Sequence, residues 1–381
     1  MKKIFALLLM FCLLFSLIAC RKTPENIPDG GSPESSSSST DTDLPVMQKP
    51  LIAVSVPVIT VSAEADDSTV IFNYIYQDEM SLTLPDADVA RSVIDDFSDR
   101  VNATRATAEE IHMAAQNDYK GGDWTPYLCQ LTYEPMRIDY GVLSMRGTYA
   151  TYQGAARPEA NYFSVTYDLT TGKVVSLSNI LAEGATADVI SGLVIAALDG
   201  KKEDKYLYED FEDTIQARFA DHIGDDPYWY FSKDGLCFYF SPYEIASYAS
   251  GLIIAEIPYS KLTGIVKDAY FPAERDAAKG VVKMQNFDPD AFTQITELIL
   301  DESAPKVMLY TDKAVYDVRI EAGGQIGEYY MPQYTIFAAS SLTPGDAILL
   351  QADLSGQQEL RLTYQTDNGP VSVFIEKDKL E

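Results

Sequence analysis

Hydrophobic and polar positions follow different patterns in successive parts of the chain. An apolar run covers residues 4–18, and residues 21–49 are rich in Pro, Gly and Ser without any periodicity. From Leu51 onward, alternating apolar and polar residues predict β-strands. Between about residues 84 and 117, apolar side chains recur with helical spacing and predict one long helix. We interpret Asp86 as the N-cap of this helix and not as a Ca²⁺ ligand, because a carboxylate there accepts bonds from free backbone N–H groups.

The middle of the chain combines short strands with short helices. Antiparallel strands with one wet face are predicted at residues 129–133, 144–152 and 162–168. Further strands are predicted at residues 228–231, 236–240 and 252–258. Helices are predicted near residues 187–198 and 206–222, and a short one begins at residue 258. These patterns indicate sheets packed against helices.

Past Gly280 short strands dominate. Residues 290–300 have a helical pattern, and six strands follow at residues 306–310, 315–320, 334–338, 347–352, 359–365 and 371–376. Six short strands at this spacing favour a small β-sandwich or barrel.

The predicted fold class is therefore α+β, with antiparallel sheets packed against one long and several short helices, plus a C-terminal β-rich domain. The predicted divisions are a signal peptide at 1–19, an anchor and disordered linker at 20–49, two α+β parts at 50–150 and 151–275, and a β-rich domain at 280–381.

The N-terminal apolar run is typical of a secretory signal. It follows Lys2 and Lys3 and is shorter than the roughly 20 residues that span a bilayer as a helix. It ends at Ala19-Cys20, which resembles the lipobox of bacterial lipoproteins. This resemblance implies lipidation of Cys20 and a lipid anchor on the outer face of the cell membrane. The alternatives are a plain signal peptide with an accidental cysteine, or a short membrane anchor.

The charge is strongly negative. The formal net charge of −28 becomes −30 once residues 1–19, which hold two lysines and no acids, are removed. Such a field disfavours nucleic acid and favours a basic partner. Solubility alone also explains acidity of this kind.

Few residues offer catalytic or metal chemistry. Neither His112 nor His222 has partners at metal-ligand spacing, and the chain has no phosphate-binding loop, dinucleotide fingerprint or nucleophile elbow. We therefore expect no enzyme activity, metal or cofactor. Many carboxylate pairs exist without one standing out, so a carboxylate-based hydrolase of wall glycan remains an alternative. Cys129 and Cys237 are interpreted as buried thiols, with a disulfide between them as the alternative.

Two runs carry a family resemblance. The first is Gly141–Pro158 followed by Asn161–Phe163 and Tyr167–Lys173, and the second is Leu236–Ala246 with Gly251 and Ile257–Leu262. Together they resemble the extracellular region of RsiV-type anti-sigma factors, which also precedes some peptidoglycan deacetylases. The resemblance covers roughly residues 50–272 and implies a non-catalytic receptor for a ligand such as lysozyme. This chain has no His in its Gln153–Pro158 turn, where that family often has one.

The same resemblance indicates candidate ligand contacts in two loops. They are Tyr152, Gln153, Gly154, Arg157, Pro242 and Tyr243. A structural role for these residues is the alternative, since Gly154 suits a turn and the aromatic alternation at 238–240 suits a core. The expected function is a non-enzymatic binding or sensing module, tethered to the membrane, for a basic protein such as lysozyme or for cell-wall fragments. A structural envelope protein, assembled through an apolar patch on residues 306–376, is a further alternative.

Overall fold

The fold is α+β and is weighted toward strand, which takes 43% of the described residues against 23% for helix. The computed structural model describes residues 49–199, 207–220, 226–326, 329–354 and 359–376. The predicted signal peptide and Cys20 lie outside these residues. Within the described part of the chain, no helix is both long enough and apolar enough to cross a membrane.

The first layer is a mixed six-stranded sheet covered by the long predicted helix. Its strands are β2 (Ile59–Glu64), β3 (Val70–Tyr76), β5 (Tyr127–Ile138), β6 (Val142–Tyr152), β7 (Glu159–Asp168) and β8 (Lys173–Val174). They lie in the order β2-β3-β5-β6-β7-β8. Helix α1 (Ala87–Asp118) begins as predicted at Asp86, whose carboxylate accepts hydrogen bonds from two backbone N–H groups. The helix buries Val93, Phe97 and Val101 at helical spacing against this sheet.

The second layer is a three-stranded antiparallel sheet with helices on one face. Its strands are β9 (Trp229–Phe231), β10 (Gly235–Phe240) and β11 (Ile253–Pro258). The helices are α2 (Leu177–Ile180), α3 (Ala187–Asp199) and α4 (Phe211–Ala220). Phe219 and Phe238 meet edge to face in their common core, 5.1 Å apart. A hydrogen bond of 2.9 Å from the Phe231 N–H to the Ser144 hydroxyl joins this layer to the first.

The C-terminal part is a pair of sheets that share one core. The strands are β12 (Val282–Asn286), β13 (Gln294–Ile299), β14 (Lys306–Thr311), β15 (Val315–Ile326), β16 (Tyr329–Leu342), β17 (Asp346–Gln351), β18 (Glu359–Thr366) and β19 (Gly369–Phe374). One sheet has the order β12-β14-β17-β13, and the other begins β19-β18-β15-β16. The six strands predicted after residue 305 are all present.

Two N-terminal strands complete the larger of these sheets. Strand β1 (Ala53–Ser55) lies antiparallel between β16 and β4 (Ser81–Thr83). Each β1 residue is buried. The β-rich part is therefore built from both ends of the folded chain.

The predicted helix over residues 290–300 is wrong. Gln294–Ile299 is strand β13, which pairs in parallel with β17 after a single 3₁₀ turn at Pro289–Ala291. Thr296 and Leu298 are buried while Glu297 and Ile299 are exposed, which is the alternation of a strand. Pairing with a buried neighbour outweighed the local helical pattern. The short helix predicted from residue 258 is likewise only a 3₁₀ turn, at Tyr259–Lys261.

Both described cysteines are free and buried, so the alternative of a disulfide is wrong. Cys129 packs in the core under α1, whereas Cys237 lies in a different cluster with Tyr230 and Tyr239. Burial raises the pKa of the Cys129 thiol to about 11 and that of Cys237 to about 12. Neither thiol is therefore a reactive thiolate near neutral pH.

Candidate functional site

Two loops that the sequence singled out meet at the surface. Arg157, between β6 and β7, donates a hydrogen bond of 3.1 Å to the Tyr243 hydroxyl, in the loop after β10. The guanidinium carbon lies 3.8 Å from the ring centroid of Tyr248 and 5.7 Å from that of Tyr243. The two tyrosine rings are 5.6 Å apart. We call Arg157, Tyr243 and Tyr248 the Arg157 platform.

The platform presents flat surfaces to solvent. Arg157 is exposed, and 56% of Tyr243 is accessible. A guanidinium stacked on aromatic faces is held in one plane and still has N–H donors free to face a ligand. Tyr248 is half-buried beneath it. The arrangement can hold planar or polar groups of a binding partner.

The backbone of the second loop is tightly fixed. Tyr243 has φ 73, a left-handed conformation that side chains other than glycine adopt rarely. Its N–H donates to the carbonyl oxygen of Ala246 at 3.0 Å. The Ser241 N–H donates to Oε2 of Glu244 at 2.9 Å. Strain of this kind persists only when the surroundings over-determine it, and here hydrogen bonds on both sides of Tyr243 do so.

A partly buried arginine anchors that loop to helix α4. Arg218 donates to both carboxylate oxygens of Asp226, at 2.6 and 2.8 Å, and to Oε1 of Glu244 at 3.3 Å. It also donates to the carbonyl oxygen of Tyr239 at 2.9 Å. Burial raises the pKa of Glu244 despite the neighbouring Arg218. Arg218 therefore links the helix, the end of β10 and the loop that carries Tyr243.

The other predicted contacts belong to a different cluster. Tyr152 packs edge-on against Tyr127, with ring centroids 6.3 Å apart. Gly154 has φ +76, and a Cβ there would lie 3.3 Å from the Tyr127 hydroxyl, so a turn and a close approach both require glycine. The Tyr127 hydroxyl donates to Asp118 at the end of α1. Tyr152 and Gly154 thus pack against Tyr127 and shape the turn.

The remaining two predicted residues have no comparable role. Gln153 is exposed in the turn, and Pro242 is half-buried beside Tyr243. The sequence reasoning missed Tyr248, Arg218 and Glu244. The one local signal for Tyr248 is a second tyrosine in the same short loop, before Gly251.

The described histidine packs against an aromatic ring, away from other potential metal ligands. Among the described residues, no three His, Cys, Asp or Glu side chains are grouped to hold a metal ion. His112 stacks on Phe72 at 5.3 Å, and His222 lies outside the described residues.

The alternative of an envelope-assembly role needs an apolar patch on residues 306–376. Val373 is the one large hydrophobic side chain that is clearly exposed in the described part of this range. Val373 borders a mostly apolar groove together with Phe374 and Ile375.

Comparison with known proteins gives a family match for part of the chain. A crystal structure of a DUF3298 family protein from Pseudomonas aeruginosa PAO1 is 20% identical, with 57% of this chain and 98% of that chain covered and a TM-score of 0.40. A DUF3298 member from Bacteroides fragilis NCTC 9343 is 16% identical, with 58% and 95% covered and a TM-score of 0.42. No curated protein matches the chain. Residues 178–260, from α2 to the 3₁₀ turn after β11, match the family model described as "Protein of unknown function (DUF3298)".

Proposed function

We propose that this protein is a surface-anchored, non-enzymatic binding or sensing module for a basic protein or a cell-wall fragment. Lysozyme is the first ligand to test, because the resemblance to RsiV-type extracellular regions implies it. The proposed anchor is a lipid on Cys20, at the end of the N-terminal apolar run. The DUF3298 match fits a secreted or envelope protein.

The Arg157 platform is the observation that carries this proposal. Arginine and tyrosine are over-represented among the residues that dominate binding energy at protein interfaces. The platform is accessible, and Arg218 and Glu244 hold its second loop in place before any ligand arrives. A preformed surface loses less conformational entropy on binding than a mobile one.

The acidic character of the chain supports a basic ligand in a second way. A net charge of −30 after removal of residues 1–19 raises the encounter rate of a cationic protein at low salt. Charge of this kind provides attraction without a defined orientation. The platform would supply the orientation, through stacking and the guanidinium N–H groups.

The binding test uses residues 21–381 and hen lysozyme, titrated with salt beside an unrelated protein of equal negative charge. Muropeptides form a second set of probes. Binding that persists above physiological salt, when the acidic control has lost it, is the expected result for a shaped interface. A decline in parallel with the control would reject lysozyme as a specific ligand.

A pair of arginine substitutions locates the interface. Arg157→Ala should weaken binding by about tenfold or more, as for other interface arginines. Arg91→Ala is the matched control, because Arg91 is exposed on α1 and far from the platform in sequence. If Arg157→Ala binds the ligand as tightly as Arg91→Ala does, the platform is not part of the interface.

The anchor has its own test. Cys20→Ser should abolish incorporation of a labelled fatty acid and move the protein from the membrane fraction to the soluble fraction of expressing cells. Retention of the label in the variant would contradict lipidation at Cys20.

A further inference from the structure

An open groove separate from the Arg157 platform runs between helix α1 and the face of the six-stranded sheet that the helix covers. Its volume is about 390 Å³. One wall is a stripe of α1 side chains at helical spacing, which includes Arg100, Ala103 and Thr107. The floor and the other wall come from β5, β6 and β7 and include Tyr133, Tyr149 and Phe163. The groove shares no residue with the platform.

The strand register brings the aromatic rings of this groove together. Gly147 on β6 lies opposite Tyr133 on β5 and opposite Phe163 on β7. A Cβ at position 147 would lie 2.0 Å from Cζ of Phe163, so glycine there leaves room for this ring to lie across β6. The ring centroids of Phe163 and Tyr133 are 5.1 Å apart. Tyr149 lies two residues along β6 from Gly147, on the same face, and both Tyr149 and Phe163 are half-buried, so part of each ring is open to a ligand.

The floor of the groove contains a buried tyrosine whose hydroxyl has no partner. Tyr133 is only 3% exposed. Its backbone N–H donates to Gln77, but its hydroxyl makes no hydrogen bond to any residue that the structure describes. The hydroxyl oxygen retains accessible surface, so a molecule in the groove can reach it. Buried polar groups in folded proteins are nearly always hydrogen-bonded, so this hydroxyl indicates a partner from outside the chain.

Arg100 brings further donors to the same place. Its Nε donates to Oδ2 of Asp96 at 2.6 Å, one helical turn earlier. Within the described part of the chain, its two Nη groups make no hydrogen bond. Burial raises the pKa of the Tyr133 hydroxyl and the Arg100 charge partly lowers it, which places the two groups near each other. Asp96 neutralises Arg100, and the other lining residues are uncharged, so the groove suits a neutral ligand with oxygen acceptors.

We propose that this groove binds a neutral saccharide through a pyranose unit. The C–H groups on one face of a pyranose carry partial positive charge and stack on the negative faces of aromatic rings, here Phe163 and Tyr149. Oxygen atoms of the sugar accept from the Nη groups of Arg100 and bond to the Tyr133 hydroxyl. Sites for small ligands measure roughly 300–1,000 Å³, so a groove of about 390 Å³ fits a monosaccharide or disaccharide unit.

A peptide strand or an anion fits the same groove less well. Strand addition requires free backbone groups at the edge of a sheet. Here β6 is paired along both edges, with β5 and with β7, so it offers the groove side chains only. An anion meets an arginine that Asp96 already neutralises, on a chain whose net charge is −28.

The experiment is isothermal titration of residues 21–381 with three neutral trisaccharides: triacetylchitotriose, cellotriose and maltotriose. Triglycine is the peptide control. We expect at least one trisaccharide to bind and triglycine to produce no binding heat. Absence of heat with all three sugars at millimolar concentration, or binding of triglycine as tight as that of the sugars, overturns the proposal.

Two pairs of substitutions assign the sugar to this groove. Tyr133→Phe should weaken binding about three- to tenfold, the effect of one neutral hydrogen bond, without lowering the melting temperature, since the hydroxyl has no partner among the described residues. Tyr310→Phe, on β14, is its control. Ala103→Trp should block the groove, whereas Ala106→Trp, the same change at an exposed position of the same helix outside the groove, should leave binding unchanged.

Wild-type sugar affinity in both Tyr133→Phe and Ala103→Trp would place the sugar elsewhere and refute the site. Lysozyme binding by the same two variants should equal that of the wild type, because the groove and the Arg157 platform have no residue in common. A failure of the groove therefore remains distinct from a failure of the platform.

Discussion

Replacing Arg218 by alanine should destabilise the protein strongly, because the substitution strands a buried carboxylate. The Arg218 side chain is 11% exposed and that of Asp226 only 4%. Both Asp226 oxygens accept from the guanidinium, and one of them also accepts from the Tyr228 N–H at 2.8 Å. Alanine at 218 leaves the Asp226 charge without its cation.

The expected magnitude follows from that geometry. Breaking a buried pair by removing one partner costs about 3–5 kcal/mol of the free energy of unfolding. Arg91→Ala serves as the control, since Arg91 and Asp88 have side chains that are 70% and 91% exposed. Exposed pairs of this kind on a helix contribute only about 0.3–0.5 kcal/mol. The two substitutions therefore should differ about tenfold in effect.

Urea unfolding of both variants provides the measurement. Trp229 is buried in β9, beside this ion pair, so its fluorescence reports on the affected layer. The double variant Arg218→Ala/Asp226→Ala should lose less free energy of unfolding than the two single variants lose together, because it leaves neither charge without its partner. A loss below about 1 kcal/mol for Arg218→Ala would refute the argument that this pair anchors the loop.

Three further predictions concern the pH response, the thiols and strand β1. Burial raises the pKa of Glu244 above its ordinary 4.5, so the wild type should lose stability relative to Glu244→Gln as pH rises from about 4.5 through the raised value. Stability curves that stay parallel for the two proteins would contradict this. Cys129 and Cys237 should resist iodoacetamide at pH 8 in the folded protein, because burial raises the pKa of both thiols, and both should react in urea. Labelling of either thiol in the folded protein would contradict this. Residues 277–381 alone should show no cooperative melting, because β16 then lacks its neighbour β1.

Patterns within one element could be read from the sequence. The spacing of Val89, Val93 and Phe97 predicted the long helix to within a few residues of its observed bounds, Ala87–Asp118. The strands after residue 305 were predicted in the same way. In each case the signal lies within a single element, where a period of 2 or 3.6 residues directly reflects which side chains face a core.

Pairing between distant segments could not be read in this way. Ala53 lies opposite Ala339, and nothing in the local pattern near either residue indicates the other. Strand β13 shows the same limit, because its parallel pairing with β17 decides its conformation against a locally helical pattern. Local propensity is a weak guide where a buried neighbouring strand supplies the hydrogen bonds.

The run from Ser241 to Ala246 shows how one motif divides between structure and function. Glu244 accepts from the Ser241 N–H and from Arg218, while Ile245 and Ala246 are buried. Tyr243, at 56% accessible, is the most exposed residue of the run, whose other members are half-buried or buried. The run is therefore mostly a scaffold that presents one tyrosine. The other two members of the Arg157 platform, Arg157 and Tyr248, lie outside it. A chain could keep the whole run, and with it the fold of this loop, yet lose the platform through a change at position 157 or 248. Those two positions, more than the run itself, should decide whether a relative binds the same ligand.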